Sequence, residues 1–322
     1  MPDARTKLGT ETLQHYEATR LFVERATAAN PSFEATARNA ASIVDICRRL
    51  DGIPLAIELA AARVRALPVE TIDARLSDRF RLLAGGDQTA RPRQQTLRAL
   101  IDWSYDLLNE QEKALLRRLS VFAGGWTLEA AEAVGSDDTL PTAEVLDVLT
   151  KLVEKSLVAI DAQGNRYRLL ETVREYAHEK LDAAGEATAT KSRHLDYFAN
   201  YAEALRSSVR GGDPRGYLDR MEAERENLLT AHAWASSDRE GGMLGLRLAY
   251  GVGRYLLERG QAELGRRLTS EALVRPGATT LSRVRALTLF EGGWQACSMG
   301  RYDVATSWLE EAWGSLASSR TA

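Results

Sequence analysis

The chain has 322 residues, 44% of them hydrophobic and 27% charged, which is ordinary for a globular protein. Lys and Arg number 42 against 45 Asp and Glu, so the net charge of −3 gives no overall attraction to nucleic acid or to an anionic membrane. Cys47 and Cys297 stand far apart, without the spacing of a disulfide framework or a zinc site. Neither a signal-peptide pattern nor a run of 18 apolar residues occurs, so we predict a cytoplasmic protein without a membrane segment.

The first 90 residues predict four helices with a sharp corner between the second and the third. Apolar residues at helical spacing predict helices over 11–28, 37–50, 54–66 and 68–83. At the corner, "LDGIPLAIEL", Gly52 allows a tight turn, and Pro54 begins the next helix where its missing N–H costs nothing. Two explanations stay open: an ordinary helix–helix corner, or a backbone that approaches a ligand. The polar run "GGDQTARPRQQ" predicts an inter-domain linker.

The following hundred residues have the element order of a winged helix. Helices are predicted over 96–108, 109–120, 127–134, 142–154 and 171–183. Asn109 followed by Glu112 is typical of a capping box at the start of the second of these helices. The runs "SLVAI" and "RYRLL", joined by "DAQGN", predict a β-hairpin with a glycine-containing turn.

The last third is helical throughout and contains an internal repeat. "GQAELGRRLTSEAL" (260–273) aligns with "GRYDVATSWLEEAW" (300–313), forty residues later. Glycines at 251, 253, 292 and 293 would let two helices cross closely. This pattern predicts an α-solenoid, and its second copy is similar to a tetratricopeptide repeat (TPR).

Catalytic motifs are absent from the sequence. It has no GxxxxGK[ST] phosphate-binding loop, no HExxH and no GxSxG, and its four histidines fall on separate predicted helices. We therefore predict that this chain is not an enzyme.

The predicted helix before the wing, "TAEVLDVLTKLVEKS", is poorly suited to DNA. Residues 91–184 hold 12 Lys and Arg against 16 Asp and Glu, whereas each neutralised phosphate requires a cation. We therefore predict that nucleic acid is not a partner and that the winged helix serves packing. A DNA-binding winged-helix transcription regulator is the alternative, supported by four cations: Arg117, Arg118, Arg166 and Arg168.

Three stretches resemble the signal-transduction ATPases with numerous domains (STAND proteins). They are "CRRLDGIPLAIELAAARV" (47–64), "TLRALIDWSYDLLNEQEKALLRRLSVFAGGWTLEAAEAV" (96–134) and "RYRLLETVREYAHEKL" (166–181). In that family a P-loop domain binds ATP or ADP, and the helical and winged-helix domains close over it. The resemblance implies that Gly52, Pro54 and Leu55 form a nucleotide-contacting corner. The P-loop domain would precede residue 1, so no cofactor is expected for this chain by itself.

One departure from the family weakens the nucleotide interpretation. Many relatives have Met-His-Asp after the wing, and the His contacts the β-phosphate. The corresponding residues here are Leu169, Leu170 and Glu171, and a leucine cannot donate a hydrogen bond to a phosphate.

The resemblance implies a mainly α protein with four parts. These are a tail of a missing nucleotide-binding domain or a linker (1–35), a helical bundle domain (36–90), a winged-helix domain with a small β-hairpin (91–185) and a TPR-like α-solenoid (186–322). The expected role is that of a non-catalytic regulatory or scaffold segment that couples nucleotide state to the binding of an inducer or partner.

The repeats are the expected recognition element. They would bind a protein or a small-molecule inducer, and self-association is left open. The partner-binding residues are predicted to be Trp294, Tyr302 and Trp308 on the concave solenoid face. For each of these aromatic residues, packing between helices is the other explanation.

Overall fold

The computed structural model describes residues 10–50, 52–83, 92–208 and 214–318, and it confirms a mainly helical chain. The contacts divide the chain into two compact units. Unit 1 comprises Met1–Arg117, Asp138–Gly164 and Leu169–Glu179, and unit 2 comprises Arg118–Asp137, Asn165–Arg168 and Lys180–Ala322. The limits of these units differ from the four predicted domains, whose boundaries stay predictions.

The elements up to the end of the wing region are, in chain order, α1 (Thr10–His15), α2 (Glu17–Ala29), α3 (Ala40–Arg49), α4 (Pro54–Ala61), a 3-10 helix (Ala62–Arg65), α5 (Val69–Leu83), α6 (Pro92–Asp106), α7 (Glu110–Leu119), α8 (Leu128–Gly135), α9 (Thr142–Glu154), β1 (Ala159–Ile160), β2 (Tyr167–Arg168) and α10 (Glu171–Ala183). The repeat region continues with α11 (Ala187–Ser208), α12 (Pro214–Ala223), α13 (Arg225–Trp234), α14 (Gly241–Glu258), α15 (Ala262–Leu273), α16 (Arg283–Ser298) and α17 (Tyr302–Ser318).

The N-terminal helix predicted over 11–28 is broken in the structure. Tyr16 is extended, with φ −115° and ψ 129°, and separates α1 from α2. The buried hydroxyl of Thr19 donates to the carbonyl of Leu13 at 2.6 Å, which satisfies an acceptor that a continuous helix would have bonded through its backbone. Helix α2 then packs against α4 within unit 1.

The predicted corner between α3 and α4 is confirmed. Gly52 has φ +69°, and its N–H donates to the carbonyl of Cys47 at 3.1 Å. Pro54 occupies the first turn of α4, where it leaves no hydrogen bond unmade. The α-helix ends at Ala61 and gives way to the 3-10 helix, whereas the sequence predicted one helix as far as residue 66.

The winged-helix elements follow the predicted order. Asn109 and Glu112 form the capping box, since each backbone N–H donates to the side chain of the other at 2.9 and 2.8 Å. The strands are shorter than predicted and form a two-stranded sheet. Trp126, which lies outside the predicted strands, makes an antiparallel bridge to Tyr167.

Helices α14 to α17 form the predicted repeat. Gly260 and Gly300 have φ of +72° and +73° and occupy the same place in the two helix–helix turns, which confirms the alignment of the copies. A Cβ added to Gly251 would lie 2.6 Å from Cβ of Ala202, and one added to Gly292 would lie 2.6 Å from Cγ2 of Thr269. The glycines are therefore required for close crossing.

The described ranges contain neither a membrane-spanning helix nor a metal-binding group. Among those residues, no helix combines the length and apolarity that crossing a membrane requires. In the same part of the chain, no group of three or more His, Cys, Asp and Glu side chains could hold a metal ion.

Candidate functional site

Helix α9, the helix before the wing, presents an acidic face. It spans Thr142–Glu154 as predicted and buries Val145, Val148, Leu149 and Leu152. Its exposed side carries Glu144, Asp147 and Glu154 against Lys151. Glu144 accepts a hydrogen bond from Gln111 at 2.6 Å, and Glu154 forms an ion pair with Arg65. This face offers phosphate more repulsion than attraction.

Three of the four arginines that supported the DNA alternative make contacts within the protein. Arg118 is only 4% exposed; its Nη1 donates to the carbonyl of Gly135 at 2.8 Å, and it pairs with Asp137 and Glu186. Because Gly135 ends α8, this cation also lies at the negative end of a helix dipole.

In the wing, Arg166 pairs with Glu224 and donates to the carbonyl of Ala223 at 3.1 Å. Arg117 donates to the hydroxyl of Tyr105 at 2.9 Å. Arg168 is exposed. The contacts of Arg118 and Arg166 therefore attach winged-helix residues to the segment before α11 and to the end of α12, all within unit 2.

Asn227 of α13 fixes the loop that precedes α8. Its Oδ1 accepts from the N–H of Ala123 at 2.8 Å, and its Nδ2 donates to the carbonyl of Gly125 at 2.7 Å and to Glu224 at 2.8 Å. Asn227 is completely buried, so each of these bonds satisfies a group that water cannot reach. The sequence analysis missed this residue, because a lone Asn within a helix has no distinctive local signal.

A cluster of aromatic rings lies beside the same loop. Phe122 stacks on Trp126 with ring centroids 5.2 Å apart, and His194 lies 5.2 Å from Phe122 and 4.7 Å from Phe198. Burial lowers the pKa of His194 to about 4, so its ring is neutral at neutral pH. We call Phe122, Trp126, His194, Phe198 and Asn227 the junction, since they join the winged-helix loop to α11 and α13.

The Gly-Ile-Pro-Leu corner is accessible, but it lacks a phosphate-binding set. Pro54 is exposed, and Gly52 and Leu55 are half-buried. Leu170 stands where a phosphate-contacting His was expected from the family, and the carboxylate of Glu171 pairs with Arg174. These residues do not fit ATP or ADP by themselves.

The three aromatic residues predicted to bind a partner differ in exposure. Trp294 is 59% exposed and Tyr302 is 68% exposed. Trp308 is half-buried against the core of the repeats, where Gly292 leaves room for its ring. Trp308 thus packs within the repeats, whereas Trp294 and Tyr302 are exposed.

Two exposed aromatic residues were not singled out from the sequence. Phe290 on α16 is 53% exposed and Trp313 on α17 is 77% exposed. In the sequence, the four-residue spacing of Phe290 and Trp294 could have indicated that both lie on one face of a helix. We use the name aromatic face for the surface formed by Phe290, Trp294, Cys297, Tyr302, Leu309 and Trp313, in which Cys297 and Leu309 are half-buried.

Unit 2 also contains a polar cleft of about 520 Å³. Its charged lining residues come from α11 and from the segment between α13 and α14, and they are Arg193, Asp196, Asp238, Arg239 and Glu240. A small polar molecule would fit a cavity of this volume. No feature of the sequence had indicated it.

Comparison with known proteins identifies the central domain. Residues 108–182 match the family model of the winged helix-turn-helix domain. The chain is 48% identical over 281 residues to proteins from Mycobacterium tuberculosis and Mycobacterium bovis that carry the name of HTH-type transcriptional regulators, with 84% of this chain and 31% of each relative covered. It is 44% identical over 198 residues to an uncharacterised Mycobacterium tuberculosis protein, with 61% of this chain and 50% of that protein covered.

The chain thus spans about a third of the length of the first of these relatives. Among solved structures, it is similar to a STAND protein with a tetratricopeptide repeat sensor from Pyrococcus horikoshii, at a TM-score of 0.43 and 14% identity, over 94% of this chain and 42% of that one. The chain contains a winged helix-turn-helix domain at residues 108–182.

Proposed function

We propose that this chain is a non-catalytic regulatory segment in which the winged helix supports the helical repeats and the repeats bind a partner. The observation that carries the proposal is that Arg118 and Arg166 form ion pairs with carboxylates of unit 2. The names of the mycobacterial relatives support a role in transcriptional control.

The charges favour this role over direct DNA binding. A DNA-binding domain needs exposed cations, because the release of counterions from phosphate supplies most of its affinity. In this domain the exposed side of α9 is acidic, and Arg118 and Arg166 form ion pairs with carboxylates of the same chain. DNA binding by another part of a longer relative would be compatible with this proposal.

Two arginines of the wing provide a matched pair for the test. Fluorescence anisotropy of a labelled duplex should show no binding to this chain at about 50 mM salt, where phosphate contacts are strong. Arg166→Ala should lower the melting temperature, because it leaves the buried carboxylate of Glu224 without its ion-pair partner. Arg168→Ala should leave the melting temperature unchanged, because Arg168 is exposed. Binding with a steep salt dependence that is lost in Arg168→Ala would instead establish the DNA-binding alternative.

Coupling to nucleotide state is the second part of the proposal. We propose that Gly52, Pro54 and Leu55 contact a nucleotide only when another domain supplies the phosphate-binding loop. Titration of this chain with fluorescent ADP and ATP in the presence of Mg²⁺ should then show no binding. Binding in the micromolar range that is lost in Pro54→Ala would contradict the proposal, since it would require a nucleotide site within this chain.

A further inference from the structure

We propose that the aromatic face binds an amphipathic helix with basic residues flanking its apolar stripe. This inference rests on the proposed function of the repeats as partner-binding elements and names the chemistry of the partner. The bound helix would lie against α16 and α17 as α16 lies against α14 and α15.

The helical positions place both halves of the aromatic face on one side. Phe290, Trp294 and Cys297 follow the spacing i, i+4, i+7 along α16, and Tyr302, Leu309 and Trp313 follow i, i+7, i+11 along α17. The opposite side of α16 is occupied, since Gln295 donates to the carbonyl of Gly253 in α14 at 3.1 Å and Gly292 adjoins Thr269 in α15. The apolar stripe of α16 therefore points away from α14 and α15, and Leu309 of α17 adjoins it by packing against Gly293 of α16.

The aromatic face combines area with suitable residue types. Four of its aromatic side chains are more than half exposed, and large exposed apolar patches on soluble proteins commonly mark binding sites. Trp and Tyr are also the residues that most often dominate the energy of protein interfaces. Among the described residues, these side chains remain open to solvent.

The internal repeat indicates that the occupant is a helix. The pair α14–α15 receives the side chains of α16 at two glycines, where an added Cβ on Gly253 or Gly265 would lie 2.4 or 2.5 Å from atoms of Glu291 or Gln295. Forty residues later the pair α16–α17 repeats this order of elements. Because stacked repeats contact their neighbours through equivalent surfaces, the side of α16–α17 that faces away from α14–α15 is shaped for another helix.

The exposed charge beside the aromatic face is mainly negative, with Asp303 and Glu310 on α17 against Arg283 on the stripe of α16, and this favours a basic occupant. Helix α17 contains Asp303, Glu310 and Glu311 and no Lys or Arg. Glu311 pairs with Arg285 at 2.6 Å, whereas Asp303 and Glu310 are exposed and have no ion-pair partner among the described residues. Both lie beside the apolar stripe of α17. A second copy docked through the same face would bring these carboxylates together, so a helix with flanking Lys or Arg is the better complement.

Two designed peptides test the proposal directly. Each is a 16-residue helix with Leu at i, i+3, i+4 and i+7, and the flanking positions carry Lys in one peptide and Glu in the other. We expect the Lys peptide to bind the full chain and the Glu peptide to bind about tenfold more weakly, as expected for two rim charge pairs. The double variant Asp303→Lys, Glu310→Lys should reverse this preference, because it reverses the charge beside the stripe.

The two natural cysteines report where the peptide binds. Cys297 lies within the aromatic face and is half-buried, whereas Cys47 is buried and its pKa is raised to about 12 by burial. We expect a thiol-alkylating reagent to modify Cys297 in the folded chain, and the Lys peptide to slow that reaction. Cys47 should stay unmodified with and without the peptide, which makes it an internal control for unfolding.

Two variants separate the aromatic face from its surroundings. Trp313→Ala should weaken binding of the Lys peptide about tenfold, as for an interface residue of high energy. Leu281→Ala removes a side chain that is also exposed, in the segment before α16, and should leave binding unchanged. Circular dichroism should show both variants folded.

The outcomes are distinguishable from those for the proposed function. If both peptides bind equally and Trp313→Ala abolishes the binding, the inference of a basic partner would be wrong. The aromatic face would still be a binding surface. Binding of neither peptide, or sedimentation as a dimer that Trp313→Ala dissociates, would overturn the inference in favour of another occupant. Salt-sensitive binding of duplex DNA would overturn the proposed function alone.

Discussion

The junction and the aromatic face use the same residue types for opposite purposes. At the junction, Trp126 is 1% exposed and stacks on Phe122, and Asn227 satisfies the neighbouring backbone groups. At the aromatic face, Trp294 and Trp313 are 59% and 77% exposed. An aromatic residue at helical spacing therefore indicates apolar contact, and the neighbouring elements determine whether that contact lies inside the protein.

The largest effect should come from removing the buried indole of the junction. Trp126→Ala should destabilise the fold by about 4 kcal/mol, because it removes a buried ring and leaves a cavity. Urea denaturation gives the free energy of unfolding of the variant and the parent. A loss below about 1 kcal/mol would show that the junction is not a tightly packed core and would remove the contrast with the aromatic face.

The buried histidine of the junction should make stability depend on pH. The pKa of His194 is lowered by burial from 6.5 to about 4, so the unfolded chain binds more protons than the folded chain between these values. The stability that the neutral ring of His194 contributes is therefore fully present above about pH 6.5. It is lost as the pH falls towards 4, by up to about 3 kcal/mol. Burial also lowers the pKa of His232 to about 3, which acts in the same direction.

The variant His194→Phe separates the two histidines. It keeps an aromatic ring beside Phe122 and Phe198 and removes the titrating group. Unfolding free energies measured from pH 7 to pH 4 should fall less steeply in this variant than in the parent, with the remaining slope due to His232 and other groups. An unchanged slope would mean that His194 is not buried in its neutral form.

A smaller loss is expected when the junction loses its buried amide. Asn227→Ala leaves the N–H of Ala123 and the carbonyl of Gly125 without their partner and should cost about 2 kcal/mol. Asn200 is exposed and offers the matched control, since Asn200→Ala should change stability by less than about 0.5 kcal/mol. Thermal denaturation of both variants compares them, and equal effects would contradict the buried role of Asn227.

The smallest effect on stability should come from the aromatic face. Trp313→Ala and Tyr302→Ala should each change the free energy of unfolding by less than about 0.5 kcal/mol, because both side chains are exposed. A destabilisation comparable to that of Trp126→Ala would show that the aromatic face is covered within this chain. Denaturation under the same conditions as for Trp126→Ala makes this comparison direct.

Local features of the fold could be read from the sequence because they depend on neighbouring residues. The capping box of Asn109 and Glu112 and the corner at Gly52 and Pro54 follow from backbone chemistry within a few positions. The repeat was visible because the turn glycines, Gly260 and Gly300, recur at a fixed spacing. The break at Tyr16 was missed, because it accompanies a buried bond between Thr19 and Leu13 that helical periodicity does not show.

The acidic character of the winged helix was likewise determined by the sequence, since the charges of residues 91–184 can be counted directly. The destinations of its arginines could not be predicted. Arg118 and Arg166 were candidates for phosphate contact until the structure paired them with Asp137, Glu186 and Glu224. An arginine has the same local pattern whether its partner is a phosphate or a distant carboxylate of its own chain.

The aromatic residues show the same division. The sequence by itself determined that helices with Trp and Tyr at regular spacing would stack as repeats, because helical periodicity and small residues are local properties. Only the tertiary structure separated Trp308, which packs beside Gly292, from Trp294 and Trp313, which are exposed. Burial depends on which elements meet across the chain, and that information lies in contacts between residues far apart in sequence.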